Sequence, residues 1–179
     1  MAWLTGFGAR LRPAQPSLRA IAGSPRQCLR WLPQLGPVLY LAGMRGCPRA
    51  RHGVLAEDVD LMPLTHAAAL QAASMITPVG PREWLDALDD AGAIRARIYL
   101  LPDTDYCAWD GMQGRFMQGA RAMTQLRART ARLIAFTHRR LAGLDVLGCM
   151  PARVSSLGGR LAAELARAEH VWMQRSLPS

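Results

Sequence analysis

The sequence predicts a mainly α chain with a small β element, an α-rich α+β domain in which a helix-helix-strand unit precedes a long C-terminal helical hairpin. Three observations predict it. Residues 65–76 and 81–91 are rich in helix formers and are bracketed by capping and breaking residues, two later segments carry apolar side chains at three- and four-residue steps, and only residues 94–101 alternate with period two. At 179 residues and 50% apolar content the chain is long enough for one core with an appended segment.

Residues 1–56 read as a basic, Pro/Gly-rich arm of weak order, because prolines at 13, 16, 25, 33, 37 and 48 repeatedly interrupt helix or central strand. A flexible arm, an organelle-targeting segment, a loosely packed extension and translated leader sequence are alternative readings of it. Residues 57–179 read as one α-rich domain, with an acidic helix-helix-strand part over 57–110 and a basic hairpin over 111–179. Thr65 is placed to cap a first helix running to about Ile76, and Thr77-Pro78-Val79-Gly80-Pro81 breaks it. A second helix is expected from Pro81, a residue favoured in the first turn, to Ala91, with Gly92 as its C-terminal cap. Ile94, Ala96, Ile98 and Leu100 then alternate with Arg95, Arg97 and Tyr99 as a strand that Pro102 ends.

From Arg115 to Leu144 a stripe of Phe116, Ala120, Met123, Thr130, Ile134, Thr137 and Leu141 predicts a long helix with Arg121, Arg132 and Arg139 on its opposite face. After a break at Gly148 to Pro151, Val154, Leu157, Leu161, Leu165, Ala168 and Trp172 predict a second helix to about Arg175, flanked by Arg153, Arg160 and Arg167. Two such helices would cover one another as an antiparallel hairpin. Arg127 falls beside the first stripe and is expected to pair with Glu164 or Glu169.

The run Leu64 to Pro102, with its Thr77-Pro78-Val79-Gly80 turn and Trp84 to Ile94 segment, loosely resembles a winged helix-turn-helix. The resemblance implies a helix, turn, helix and strand in that order. Glu83, Asp86, Asp89 and Asp90 against Arg82 give the would-be reading helix the wrong sign for a phosphate-lined groove, so the likeness points to protein contact by that helix.

Charge narrows function. All 22 basic residues are arginine, and the formal net charge is +9. Residues 1–56 hold eight Arg and no acid, 57–110 ten acids and three Arg, and 111–179 eleven Arg and three acids. The absence of lysine excludes a phosphate-loop lysine, a Schiff-base enzyme and the kinase lysine. Cys28, Cys47, Cys107 and Cys149 are too dispersed for a zinc site or a disulfide framework. No apolar run is long enough for a membrane helix, and a cytoplasmic location is expected. His52, His66, His138 and His170 lie on four segments, with His138 expected to be partly buried. The reading that follows is a non-enzymatic helical adaptor or assembly protein without metal or cofactor. Its expected partner is a protein or acidic macromolecule, held through Arg121, Arg132, Arg139, Arg153, Arg160, Arg167 and Trp172. One alternative is a nucleic-acid-binding protein whose basic arm and hairpin neutralise phosphates. A second is an enzyme using a divalent cation on Asp103 and Asp105, although Asp105 also stands where it would cap a helix containing Tyr106 and Trp109.

Overall fold

The computed structural model describes residues 16–20, 24–43, 53–78, 80–116 and 125–174, without the side chains of 113–116. Its elements are β1 (Ser17–Ala20), α1 (Pro25–Leu29), β2 (Pro37–Gly43), β3 (Val54–Ala56), α2 (Met62–Thr65), β4 (Ala69–Thr77), β5 (Gly80–Leu88), β6 (Ile94–Leu100), α3 (Tyr106–Phe116), β7 (Ala128–Leu141), β8 (Leu144–Pro151) and α4 (Ser156–Ala168). Short 3-10 turns at Leu32–Leu35 and Val59–Leu61 link α1 to β2 and β3 to α2. Among the described residues the strands form one eight-stranded sheet in the order β1-β4-β5-β6-β2-β7-β8-β3. Neighbours are antiparallel except β3, which runs parallel to β8.

The α-rich expectation is therefore corrected to a sheet-dominated fold. Where residues 65–76 and 81–91 were read as two helices, the chain instead forms β4 and β5, paired from Ala69↔Leu88 to Thr77↔Gly80. The segment read as a helix break is their hairpin turn, in which the Thr77 hydroxyl donates to the Gly80 carbonyl at 2.7 Å. The winged-helix resemblance falls with those helices. β6 is the strand that its alternation indicated. The first arm of the expected hairpin is replaced by the end of α3 and by β7, and the expected break at 148–151 lies within β8. Of the expected helices, the last forms as α4 and stops at Ala168, and the one containing Tyr106 and Trp109 forms as α3. β2, from the stretch read as a Pro-rich arm, lies between β6 and β7 with both faces covered.

Burial on both faces explains why the strands look unlike half-exposed ones. On the inner face Tyr40, Leu85, Ile98, Ile134, Phe136 and Leu147 pack against Leu29, Leu32, Leu61, Leu64, Trp109 and Met112, carried by α1, α2, α3 and the two short turns. On the outer face Leu39, Leu41, Trp84, Tyr99 and Leu101 pack against Ala162, Leu165 and Ala166 of α4. Successive β2 residues thus feed opposite cores, as period-two side chains must.

α4 is fixed at both ends. Ser155 caps it by accepting from the Gly158 amide at 3.1 Å, and Asp103 accepts from the Ser155 amide at 2.7 Å and from its hydroxyl at 3.0 Å. At the other end Glu169 accepts from Arg97 Nη1 at 2.6 Å and from the Tyr99 hydroxyl. Arg97 is itself buried, forked onto Asp86 at 2.6 and 3.1 Å and stacked over the Trp84 and Tyr99 rings.

Candidate functional site

The β7–β8 hairpin turns at Ala142-Gly143, both at positive φ, as a two-residue turn of primed type requires. That turn sets Arg140 opposite Asp145 and His138 opposite Leu147, so His138, Arg140 and Asp145 share the inner face. α1 anchors through Cys28 and Leu29 in the inner core, which brings Arg26 and Arg30, one helical turn apart, over the same carboxylate.

Asp145 is fully enclosed. Its Oδ2 accepts from Arg26 Nε and from Arg30 Nη2, both at 2.7 Å. Its Oδ1 lies 3.2 Å from His138 Nε2 and 3.9 Å from Arg140 Nε. Burial pushes the Asp145 carboxyl up, but the hydrogen bonds and charges of Arg30 and Arg26 outweigh it and hold the pKa near 2. The acid is ionised throughout the neutral range. With Nε2 turned to that carboxylate, Nε2–H is the donor, and in the neutral ring Nδ1 carries the lone pair. Among the described residues no hydrogen bond is made at Nδ1. A carboxylate that fixes one imidazole nitrogen and leaves the other basic is the arrangement of a metal-ligating histidine. Three guanidiniums face one carboxylate here, so two positive charges remain over. Leu141 and Leu144, both exposed, stand at the tip of the same hairpin.

The sequence-predicted residues are distributed otherwise. Arg121 lies outside the described residues. Arg132 and Arg139, expected on one helix face, stand on opposite faces of β7 because seven residues is an odd number of strand steps. Arg132 pairs with Asp58 beneath the Val59–Leu61 turn, and Arg139 pairs with Glu57. Arg153 precedes α4, while Arg160 and Arg167 lie on its exposed side, and Trp172 beyond it is 92% exposed. Arg127 is exposed, since Glu164 pairs with Arg82 and Glu169 with Arg97. Asp103 holds the start of α4, and Asp105 caps α3 by accepting from the Ala108 amide at 3.0 Å. Among the described residues no three His, Cys, Asp or Glu side chains gather to hold a metal ion.

Sequence reasoning missed the Asp145 cluster because its members come from α1, β7 and β8. One signal was present: Asp145 is the single acid between Asp110 and Glu164. An isolated carboxylate in so basic a stretch must collect cations when buried.

No protein-family model and no curated protein matches the chain. Among solved structures it is similar to the heme-degrading enzyme ChuS of Escherichia coli O157:H7, at 18% identity over 60% of this chain and 38% of that one, with a TM-score of 0.44. It is similar also to PhuS, a heme-binding protein from Pseudomonas aeruginosa, at 18% identity over 65% and 39% of the two chains, TM-score 0.46. A further ChuS structure, described as an E. coli heme oxygenase, matches at 16% identity over 64% and 39%, TM-score 0.39. The chain spans about two fifths of the length of these solved chains.

The expectation of a non-enzymatic helical adaptor, and the nucleic-acid and Asp103/Asp105 alternatives beside it, are corrected. The helices that were to present arginine faces are strands with opposed faces, and the two aspartates are engaged in capping. The structures found are of heme-degrading and heme-binding proteins. No described helix is long and apolar enough to cross a membrane.

Proposed function

We propose that the chain binds a heme-class ligand at the end of the β7–β8 hairpin, with His138 Nδ1 as the iron ligand. The observation that carries this reading is the His138–Asp145 pair, which orients one imidazole nitrogen and leaves the other free to ligate. A bare metal ion needs three or more side chains, which the described residues do not assemble. An iron already held by the four nitrogens of a tetrapyrrole needs only one or two axial ligands, and a single well-oriented imidazole meets that demand. The two surplus positive charges of Arg26, Arg30 and Arg140 around Asp145 match the two propionates of heme. A cytoplasmic site of action accords with Cys28, Cys107 and Cys149 all being free thiols.

Hemin titration followed by absorbance tests the proposal. The wild-type chain is expected to shift and sharpen the Soret band at stoichiometric hemin, and His138→Ala is expected to weaken binding at least tenfold and abolish the imidazole-ligated spectrum. A spectrum unchanged in His138→Ala, or no hemin binding by the wild type, overturns it.

A further inference from the structure

Many of the described arginines have an acidic partner, and others have none. Those on α1, β5 and β6, and Arg132, Arg139 and Arg140 on β7, each reach a carboxylate. Arg153, Arg160 and Arg167 make no ion pair among the described residues, and all three are exposed. The acids close to them in sequence are already engaged. Glu164 pairs with Arg82, and Glu169 is held by Arg97 and Tyr99. This end of the molecule therefore presents positive charge that nothing within the described fold compensates.

Apolar groups stand beside that charge. α4 turns Ala162, Leu165 and Ala166 into the outer core, so at 100° per residue Arg160 and Arg167 fall on the opposite crest, with Leu157 next to them. Leu157 is 54% exposed at the first turn of α4, and Trp172 is 92% exposed four residues beyond its end. The short bridge of Met173 to Ala131 and the Gln174 amide hydrogen bond to the Ala131 carbonyl at 2.8 Å fix the backbone on which Trp172 stands. The indole is thus held outward at a defined place.

Uncompensated arginines flanked by an outward indole and a leucine match an interface that is anionic at its surface and apolar just beneath. We infer that this face, the α4 crest with Arg153 and Trp172, docks on an anionic lipid bilayer. Arg153, Arg160 and Arg167 meet lipid phosphates, while Trp172 and Leu157 enter the headgroup layer. α4 itself does not insert, because its apolar side is committed to the sheet. A nucleic-acid backbone would use the arginines but leaves the indole and leucine without an apolar partner. The contact is peripheral and independent of the His138 cluster, which lies on the other face of the sheet.

Flotation with vesicles tests this on the full chain. Binding is expected to vesicles containing about one third phosphatidylserine, to be absent with phosphatidylcholine alone, and to fall on the order of 100-fold in R153Q/R160Q/R167Q. These three side chains are exposed, so the triple variant keeps the wild-type circular dichroism. Trp172→Ala is expected to retain weaker, fully salt-reversible binding and to remove most of the blue shift in tryptophan emission on vesicles. Equal binding by the triple variant and wild type, no binding to the anionic vesicles, or displacement from them by an equimolar DNA duplex or RNA overturns the inference.

Discussion

At the scale of the residue, Asp145 makes the hairpin end what it is. Its surface is covered by guanidiniums rather than by apolar packing, and Arg26 and Arg30 stay partly wetted, so its ion pairs are screened more than their geometry implies. The carboxyl titrates near 2 in the fold against about 3.9 in an unfolded chain. Because the folded value is the lower one, the group stabilises the fold above about pH 4, and that contribution is lost as pH falls toward 2. Asp145→Asn is expected to cost about 1–2 kcal/mol at neutral pH, since three cations then lack their anion. Urea midpoints of wild type and variant should converge as the pH is lowered through that window. A gap that stays constant from pH 6 to pH 2 would show that the carboxylate contributes through shape alone.

At the scale of the element, α4 shows what a sequence-level reading can reach. The three- and four-residue spacing of Val154, Leu157, Leu161 and Leu165 made this helix legible, because it packs one stripe on a sheet and turns the rest to solvent. β6, though buried on both faces, was legible in period two because Arg95, Arg97 and Tyr99 put polar groups on one of them. β4 and β5 were not. Buried on both faces where Ala69–Ala73 pairs with Trp84–Leu88, they carry Ala and Leu on both sides of the strand, so the alternation that marks a strand is absent. A lysine-free, Ala- and Arg-rich composition also supplies helix formers where Val and Ile usually signal a strand. β7 misled differently: Thr130, Ile134 and Phe136 do line one face with period two, but Arg132 between them, paired with Asp58, broke the apolar pattern. Tertiary pairing, unseen in local sequence, decided each case. The polar tie at the end of α4 carries its own expectation. Glu169→Ala should cost about 1–2 kcal/mol, with Glu169→Gln smaller because its amide oxygen still accepts from Tyr99. Amide exchange in the last turn of α4 should rise in proportion, and unchanged exchange there would mean that Leu165 and Ala166 alone seat the helix.

At the scale of the whole molecule, the sheet divides two cores that no side chain crosses, yet one backbone serves both. Leu39 and Leu41 enter the outer core while Val38 and Tyr40 of the same strand enter the inner one. Loss of either core would leave β2 and its neighbours with a full apolar face in water, which their hydrogen bonds cannot offset. The two layers are therefore expected to unfold together, even though α4 is the only described helix over the outer face. Leu85→Ala empties a fully buried inner position and should cost about 3 kcal/mol, and Leu165→Ala, at the rim of the outer core, about 2 kcal/mol. Each should lower one common midpoint seen by far-ultraviolet circular dichroism, which follows the sheet and helices, and by tryptophan emission, which follows Trp84 in the outer core and Trp109 in the inner one. If Leu165→Ala instead splits the transition, with emission changing before ellipticity, then α4 is a cover that can lift from an intact sheet. The cluster at His138 and Asp145, which stands on the inner face, would in that case keep its ion pairs while the outer layer melts.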